Sequence, residues 1–244
     1  GISFGGDTLN TAIYLARLTG RDNVKVGYAT ALGTDADSDS LLYQWQQEGL
    51  DLSLVRRLAD KLPGRYRINT SADGERHFQY WRDDSAARFY FNIDSTPMAQ
   101  ALAHKQWDFL YVSGISLAIL PDAHKERLLE LISSFRQAGG KLIFDNNYRS
   151  QLWQQSQACL WYARIMAQTD LALLTDEDEF AIYCEQQLAQ IISRCMALKI
   201  PEAVIKRGSG KALVLDKSDL CEVPAQRVEP VVDTSAAGDA FAAG

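Results

Sequence analysis

Near its C-terminal end the chain runs Val231-Val-Asp-Thr-Ser-Ala-Ala-Gly-Asp-Ala-Phe241, an apolar strand end that passes through small residues into helix-forming ones. Small side chains at 236–238 let backbone N–H groups approach an anion at a helix start, where the helix dipole also favours negative charge. A carboxylate at the same place, Asp239, can take a hydroxyl proton. The N–H groups of Ala236, Ala237 and Gly238 would then stabilise charge on a transferring phosphoryl group. A plainer reading fits the same residues: an aspartate capping a helix whose alanines pack closely. Lys206-Arg-Gly-Ser-Gly-Lys211 offers three cations around two glycines. It is not a Walker A loop, because Ile205 and Ala212 stand where that pattern requires Gly and Ser or Thr. It also lacks the third glycine of a dinucleotide fingerprint. A turn lying over a nucleotide and an ordinary glycine hairpin turn both fit it. Asp176-Glu-Asp-Glu179 places four acids at a helix start, where they either complement the dipole or organise a hard cation such as Mg²⁺ through water. Arg82 and Arg149 carry the planar fork of donors suited to a carboxylate or a phosphate.

These groups need rigid elements to position them, and the apolar pattern supplies those elements. Short apolar runs at 24–31, 109–113, 142–144, 171–174, 203–205 and 213–215 read as strands. Helix-period segments at 8–19, 37–48, 123–138, 159–168 and 186–198 lie among them. Leu128, Leu129, Ile132 and Phe135 share one helical face, and Gly139-Gly140 ends that helix. Alternation of this kind predicts an α/β fold, a mostly parallel sheet sandwiched by helices. One segment breaks the rhythm. Arg65–Thr70 and Glu75–Arg82 read as a β-hairpin around Asp73-Gly74, with Tyr66 and Ile68 facing Phe78 and Tyr80. It is either an edge hairpin on the main sheet or a lid over a polar ligand.

Composition narrows the class. The chain has 244 residues, 47% hydrophobic and 23% charged, with a net charge of −6. That is ordinary globular composition, with enough chain for one large core. The acidic balance argues against nucleic-acid or membrane-surface partners, and the uncharged apolar stretch 109–121 is too short for a membrane span. Four cysteines without a CxxC pair read as buried free thiols in a reducing cytoplasm. Scattered histidines give no metal cluster.

Asp233-Thr-Ser-Ala-Ala-Gly-Asp-Ala-Phe241 resembles the second signature of the ribokinase-type (PfkB) sugar kinases, Asp-Thr-x-Gly-Ala-Gly-Asp-x-Phe, with Ala236 in place of the first glycine. Gly5-Gly-Asp-Thr-Leu-Asn-Thr-Ala12 is similar to the family's first region, and Leu32-Gly-Thr-Asp35 to its Gly-x-Asp loop. Within the family, Gly6–Asn10, Tyr80-Trp-Arg82 and Phe144-Asp-Asn-Asn-Tyr-Arg149 resemble the branch acting on the sugar acid 2-keto-3-deoxygluconate. The resemblance implies a ribokinase-like domain over 1–244, with the hairpin at about 64–82 as its lid. It implies ATP and Mg²⁺ as cofactors, and a homo-oligomer formed through that lid. Asp239 would be the base, beside the anion hole of Ala236, Ala237 and Gly238. Gly6, Asp7, Asn10, Tyr66, Tyr80, Arg82 and Arg149 would hold the sugar acid. Asn147, Arg149, Lys206, Gly208, Gly210, Lys211, Ala236 and Gly238 would hold the nucleotide. Glu179 matches the Glu of the family's Asn-x-x-Glu and would organise magnesium, with Asp176 where Asn is usual. Against the family pattern, the chain is expected to be short at both ends. Other sugar kinases of the family, such as a fructokinase or ribokinase, are the neighbouring reading. A non-catalytic sugar-binding protein on the same fold is the third.

Overall fold

The protein is described from a computed structural model covering residues 5–20, 24–70, 76–81, 83–217, 219–226, 229 and 234–244, with backbone alone at 66–70 and 76–80. Four strands, β5 (Phe109–Ser113), β6 (Lys141–Asp145), β7 (Leu171–Thr175) and β8 (Glu202–Lys206), pair in parallel. Two antiparallel strands, β9 (Ala212–Asp216) and β10 (Asp219–Val223), extend the sheet in the order β10-β9-β8-β7-β6-β5. The register brings Ser113 beside Asp145 and Thr175 beside Lys206. The polar residues that end each strand therefore line up at one edge, where parallel sheets hold their ligands.

Helices flank this sheet for reasons legible in their sequences. The helix α5 (Asp122–Gln137) buries Leu128, Leu129, Ile132 and Phe135 along one stripe. It ends at Gly139, whose φ of 101° is a left-handed exit that glycine adopts without steric cost. The helix α6 (Gln155–Met166) buries Tyr162, Ile165 and Met166. With Phe144, Leu142 and Leu174 from the strands, these side chains form the main core. Burying each large apolar side chain is worth about 1.5–3 kcal/mol. A second apolar cluster joins α1 (Asp7–Thr19) to α2 (Ala36–Gln47) through Leu9, Ile13, Trp45 and Leu50. Asp35 caps α2 by accepting from the backbone of Asp37 and Ser38.

Several expectations change. The run at 24–31 forms a strand only at β1 (Ala31–Leu32), beside β2 (Arg56–Arg57), with an isolated bridge at Gly27. Two residues of partner strand leave no longer ladder to join, and Trp107 packs so tightly on Gly27 that a Cβ there would collide with its ring. The helices α3 (Pro97–Ala103) and α4 (Gly114–Ile119) were not anticipated, being too short to show a period. Their caps, Thr96 and Ser113, are the local signal. Of the four free thiols only Cys195 is fully buried, while Cys184 and Cys221 are exposed.

The hairpin forms as expected. Strands β3 (Arg65–Thr70) and β4 (Arg76–Trp81) pair Tyr66 with Tyr80 and Ile68 with Phe78. They make a separate two-stranded sheet, and among the described residues no ladder joins them to the six strands. The turn at 71–75 lies outside the described residues.

Candidate active site

The first turn of α1, the last helix α9 (Ala237–Ala243) and the C-terminal ends of β5, β6 and β8 converge on a cluster of carboxylates. Asn10 Nδ2 donates to Asp239 Oδ2 at 2.8 Å, tying α1 to α9 across 229 residues of sequence. Asp7 Oδ2 accepts from Ser113 Oγ and, at 3.0 Å, from Asn147 Nδ2. Asp145, 2% exposed, holds Lys206 Nζ with both carboxylate oxygens at 3.1 Å and accepts from the Tyr111 hydroxyl at 3.1 Å. A buried lysine needs such a partner, and a buried carboxylate likewise.

Crowding these acids has electrostatic consequences. Burial, then the charges of Asp7 and Asp145, push the Asp239 carboxyl above its ordinary value, against the Asn10 bond and Lys206. Burial, and more weakly Asp145, raise Asp7 too, while the Ser113 bond and Arg149 oppose the rise. Burial pushes Asp178 up to about 6, despite the pull of Arg149 and the Tyr148 N–H. A carboxylate raised in this way is a stronger base than a free one.

Most of the residues named from sequence meet here. Gly6, Asp7, Asn10, Asn147, Arg149, Lys206 and Asp239 all border this region, and Gly6 is the exposed N-cap of α1. Gly6 has an extended backbone that any residue adopts, and an added Cβ would touch only Leu9. Arg149 is exposed, donates to the Tyr148 carbonyl at 2.7 Å, and its charge reaches both Asp7 and Asp178. Ala236 has φ 59°, a left-handed conformation in which its Cβ is strained. The Ala237 N–H bonds the Thr234 carbonyl at 3.2 Å, which removes Ala237 from the anion hole expected of Ala236, Ala237 and Gly238, because the turn into α9 uses that donor itself. A Cβ on Gly238 would enter open space, which leaves its backbone approachable. Gly208, with φ 53°, and Gly210 form the turn between β8 and β9.

Two further placements differ from expectation. Lys211 is ion-paired to Glu222 on β10 at 2.7 Å, half-exposed, because the hairpin register carries it across to the outer strand. Glu179 is fully buried in α7 (Asp176–Tyr183), with one oxygen taken by Asn146 and the other by Arg194. Those two bonds are its compensation for losing water, so it does not present a vacant ligand. Asp176 faces Arg207 at 3.9 Å. Tyr66 and Tyr80 are placed by backbone register alone, and Arg82 lies outside the described residues.

Sequence reasoning missed Ser113, Asp145 and Asn146 as members of the site. Their common signal is a polar residue ending an apolar strand. Among the described residues, no group of three or more His, Cys, Asp or Glu could hold a metal ion, and no helix is long and apolar enough to cross a membrane. The donor set fits Mg²⁺ only as an ion carried on nucleotide phosphates, taking one or two carboxylates from the protein.

Comparison with known proteins agrees with this geometry. The chain is 47% identical to a 2-dehydro-3-deoxygluconokinase of Dickeya dadantii, over 99% of this chain and 79% of that protein. It is 44% identical to the 2-dehydro-3-deoxygluconokinase of Escherichia coli K12, again over 99% and 79%. Among solved structures, the aminoimidazole riboside kinase of Salmonella enterica, complexed with aminoimidazole riboside and an ATP analogue, superposes with a TM-score of 0.78. That structure is 26% identical, with 98% of this chain and 74% of that one covered. The pfkB family carbohydrate kinase pattern matches residues 1–244. A helix-start aspartate tied to the first helix, at the C-terminal edge of a ribokinase-like sheet, is thus the site of a chain that belongs to the pfkB family of carbohydrate kinases.

Proposed function

We propose that the protein transfers the γ-phosphoryl group of ATP to a hydroxyl of 2-keto-3-deoxygluconate, as a 2-dehydro-3-deoxygluconokinase. The identity of 38–47% to proteins of that name, over nearly the whole chain, supports the substrate. The observation that carries the chemistry is the Asn10–Asp239 bond, which sets a raised-pKa carboxylate beside the acceptor-side residues Asp7 and Asn147.

In this reading Asp7 and Asn147 accept from and donate to sugar hydroxyls, and Arg149 presents its fork to the sugar-acid carboxylate or to a phosphate. Asp239 takes the acceptor proton as the hydroxyl oxygen bonds to the γ-phosphorus. The bond from that phosphorus to the β–γ bridging oxygen breaks, and ADP leaves with the electron pair. The N–H groups of Gly238 and Asp239 face the charge that builds on the phosphoryl oxygens. Asp145 and Asp178 would hold the Mg²⁺ that accompanies the nucleotide, which would supply neutralisation of phosphate charge. Lys206, released from Asp145, is the cation that meets the phosphates.

The whole of 1–244 acts as one domain, with the hairpin as lid, in the cytoplasm where the four thiols stay reduced. The lid pairs with that of a second subunit. Sedimentation showing only monomer at micromolar concentration overturns the pairing. Coupled ATP consumption with 2-keto-3-deoxygluconate, fructose and ribose tests the substrate. The sugar acid is expected to give the highest kcat/KM; preference for a neutral sugar makes the protein a fructokinase or ribokinase.

A further inference from the structure

Arg194 lies on the helix α8 (Leu188–Ala197), outside the short motifs that name the site residues. Its side chain is nonetheless 16% exposed, with both terminal nitrogens bonded and Nε buried without a partner. Nη2 contacts Glu179 Oε2 at 2.7 Å, Nη1 meets Glu185, and the guanidinium lies 3.6 Å from the ring centroid of Tyr183. Glu179, fully buried, turns its other oxygen to Asn146 Nδ2 at 3.0 Å. Asn146, equally buried, accepts through Oδ1 from the backbone N–H of Asn147 at 2.8 Å and of Thr175 at 3.0 Å. Its Nδ2 also reaches the Thr175 carbonyl at 3.1 Å, so Asn146 clamps the ends of β6 and β7 together.

The next residue, Asn147, has φ 28°, a sparsely populated conformation for a residue with a Cβ. Such backbone persists only where the surroundings over-determine it. Its side chain donates to Asp7, the acceptor-side carboxylate. One continuous hydrogen-bonded path thus runs from Arg194 through Glu179, Asn146 and Asn147 to Asp7.

We infer that Arg194 is a positioning residue for the sugar-binding side of the site: one arm of its fork holds Glu179 while the other is anchored on Glu185, and Glu179 holds the Asn146–Asn147 corner in its strained, substrate-ready form. The assignment rests on the kinase reading above for what Asn147 and Asp7 bind. Glu179 is then the keystone of this path rather than a cation ligand. Removing the arginine leaves a buried carboxylate without its counter-ion and lets the corner relax.

The test is a double-mutant cycle of Arg194→Gln and Asn147→Ala, with KM measured separately for the sugar acid and ATP. Arg194→Gln is expected to raise the sugar-acid KM about tenfold with the ATP KM little changed. The double variant should be no worse than Asn147→Ala alone, a coupling of the size seen within contact networks. Arg194→Lys keeps the charge without the fork and should fall between wild type and Arg194→Gln. Multiplicative effects in the cycle, or a lowered Tm with both KM values unchanged in either Arg194 variant, overturn the inference. The side-chain amide resonance of Asn147 gives a readout free of turnover. It should shift in the Arg194 variants whether or not the wild type phosphorylates the sugar acid, and an unmoved resonance also overturns the inference. Absence of turnover in the wild type, with the resonance shifted, defeats the kinase reading alone.

Discussion

Asn10 holds one carboxylate oxygen of Asp239 and thereby does two things: it aims the base and favours its charged form. Asp239→Asn keeps the shape and removes the basicity. Its kcat should fall by about 10²–10⁴, the usual contribution of a positioned base, while ATP binding measured by calorimetry stays within a few-fold. The sign of the pH dependence follows from the raised carboxyl. Activity needs the ionised form, so kcat/KM rises with pH to a plateau and falls as pH drops through a value above that of a free aspartate. Asn10→Ala removes a bond that lowers that value, so the acid limb of the profile should move to higher pH; a limb that moves down or stays put contradicts the assignment.

At the scale of elements, the loop that enters α9 carries an alanine where its resemblance to the family calls for glycine. With φ 59°, Ala236 holds its Cβ against the backbone, a cost of about 1–2 kcal/mol that glycine escapes. Part of the gain on substitution returns as the larger entropy of an unfolded glycine, about 0.5–1 kcal/mol. Ala236→Gly should therefore raise Tm slightly, the reverse of an Ala→Gly change inside a helix, and calorimetry reads the sign directly. The close approach of α4 to β6 is the opposite case. A Cβ on Gly114 would run into the Tyr162 hydroxyl and the Asn146 carbonyl, the atoms that anchor the strained corner. Helix entry and site geometry share those contacts.

For the molecule as a whole, the cluster at the sheet edge is a stability cost carried for function. Asp178 is pushed to about 6 chiefly by burial. Its folded form binds a proton more tightly than the unfolded chain does. The resulting stability is complete below about pH 4 and is lost as pH rises to about 6, a difference of roughly 3 kcal/mol. Asp178→Asn does not titrate, so its Tm advantage over wild type should grow across that window and level off above it. A constant difference from pH 4 to pH 7 removes the buried carboxylate as the cause.

Sequence periodicity alone delivered the long elements. The stripe of α5 and the strand at 109–113 appear where expected, because burial of an apolar face is written in residue order. The register of the hairpin was legible for the same reason: alternation and a turn signal fix which residues face each other. The acid, amide and arginine types of the site were also readable, as was Asp239 at its helix start. What only the tertiary structure decided is which of them meet. Residues 10 and 239, or 7 and 147, are joined by strand register and helix packing, which no local spacing encodes. Lys211 and Glu179 carry suitable chemistry, yet both stand paired elsewhere: Glu179 because a buried charge needs the partner the fold sets beside it, Arg194, and Lys211 because the β9–β10 register sets it beside Glu222 on the surface. Ser113 and Asp145 entered the site because parallel strands end in register. Residue type fixed the chemistry available to this chain; long-range packing chose which residues use it.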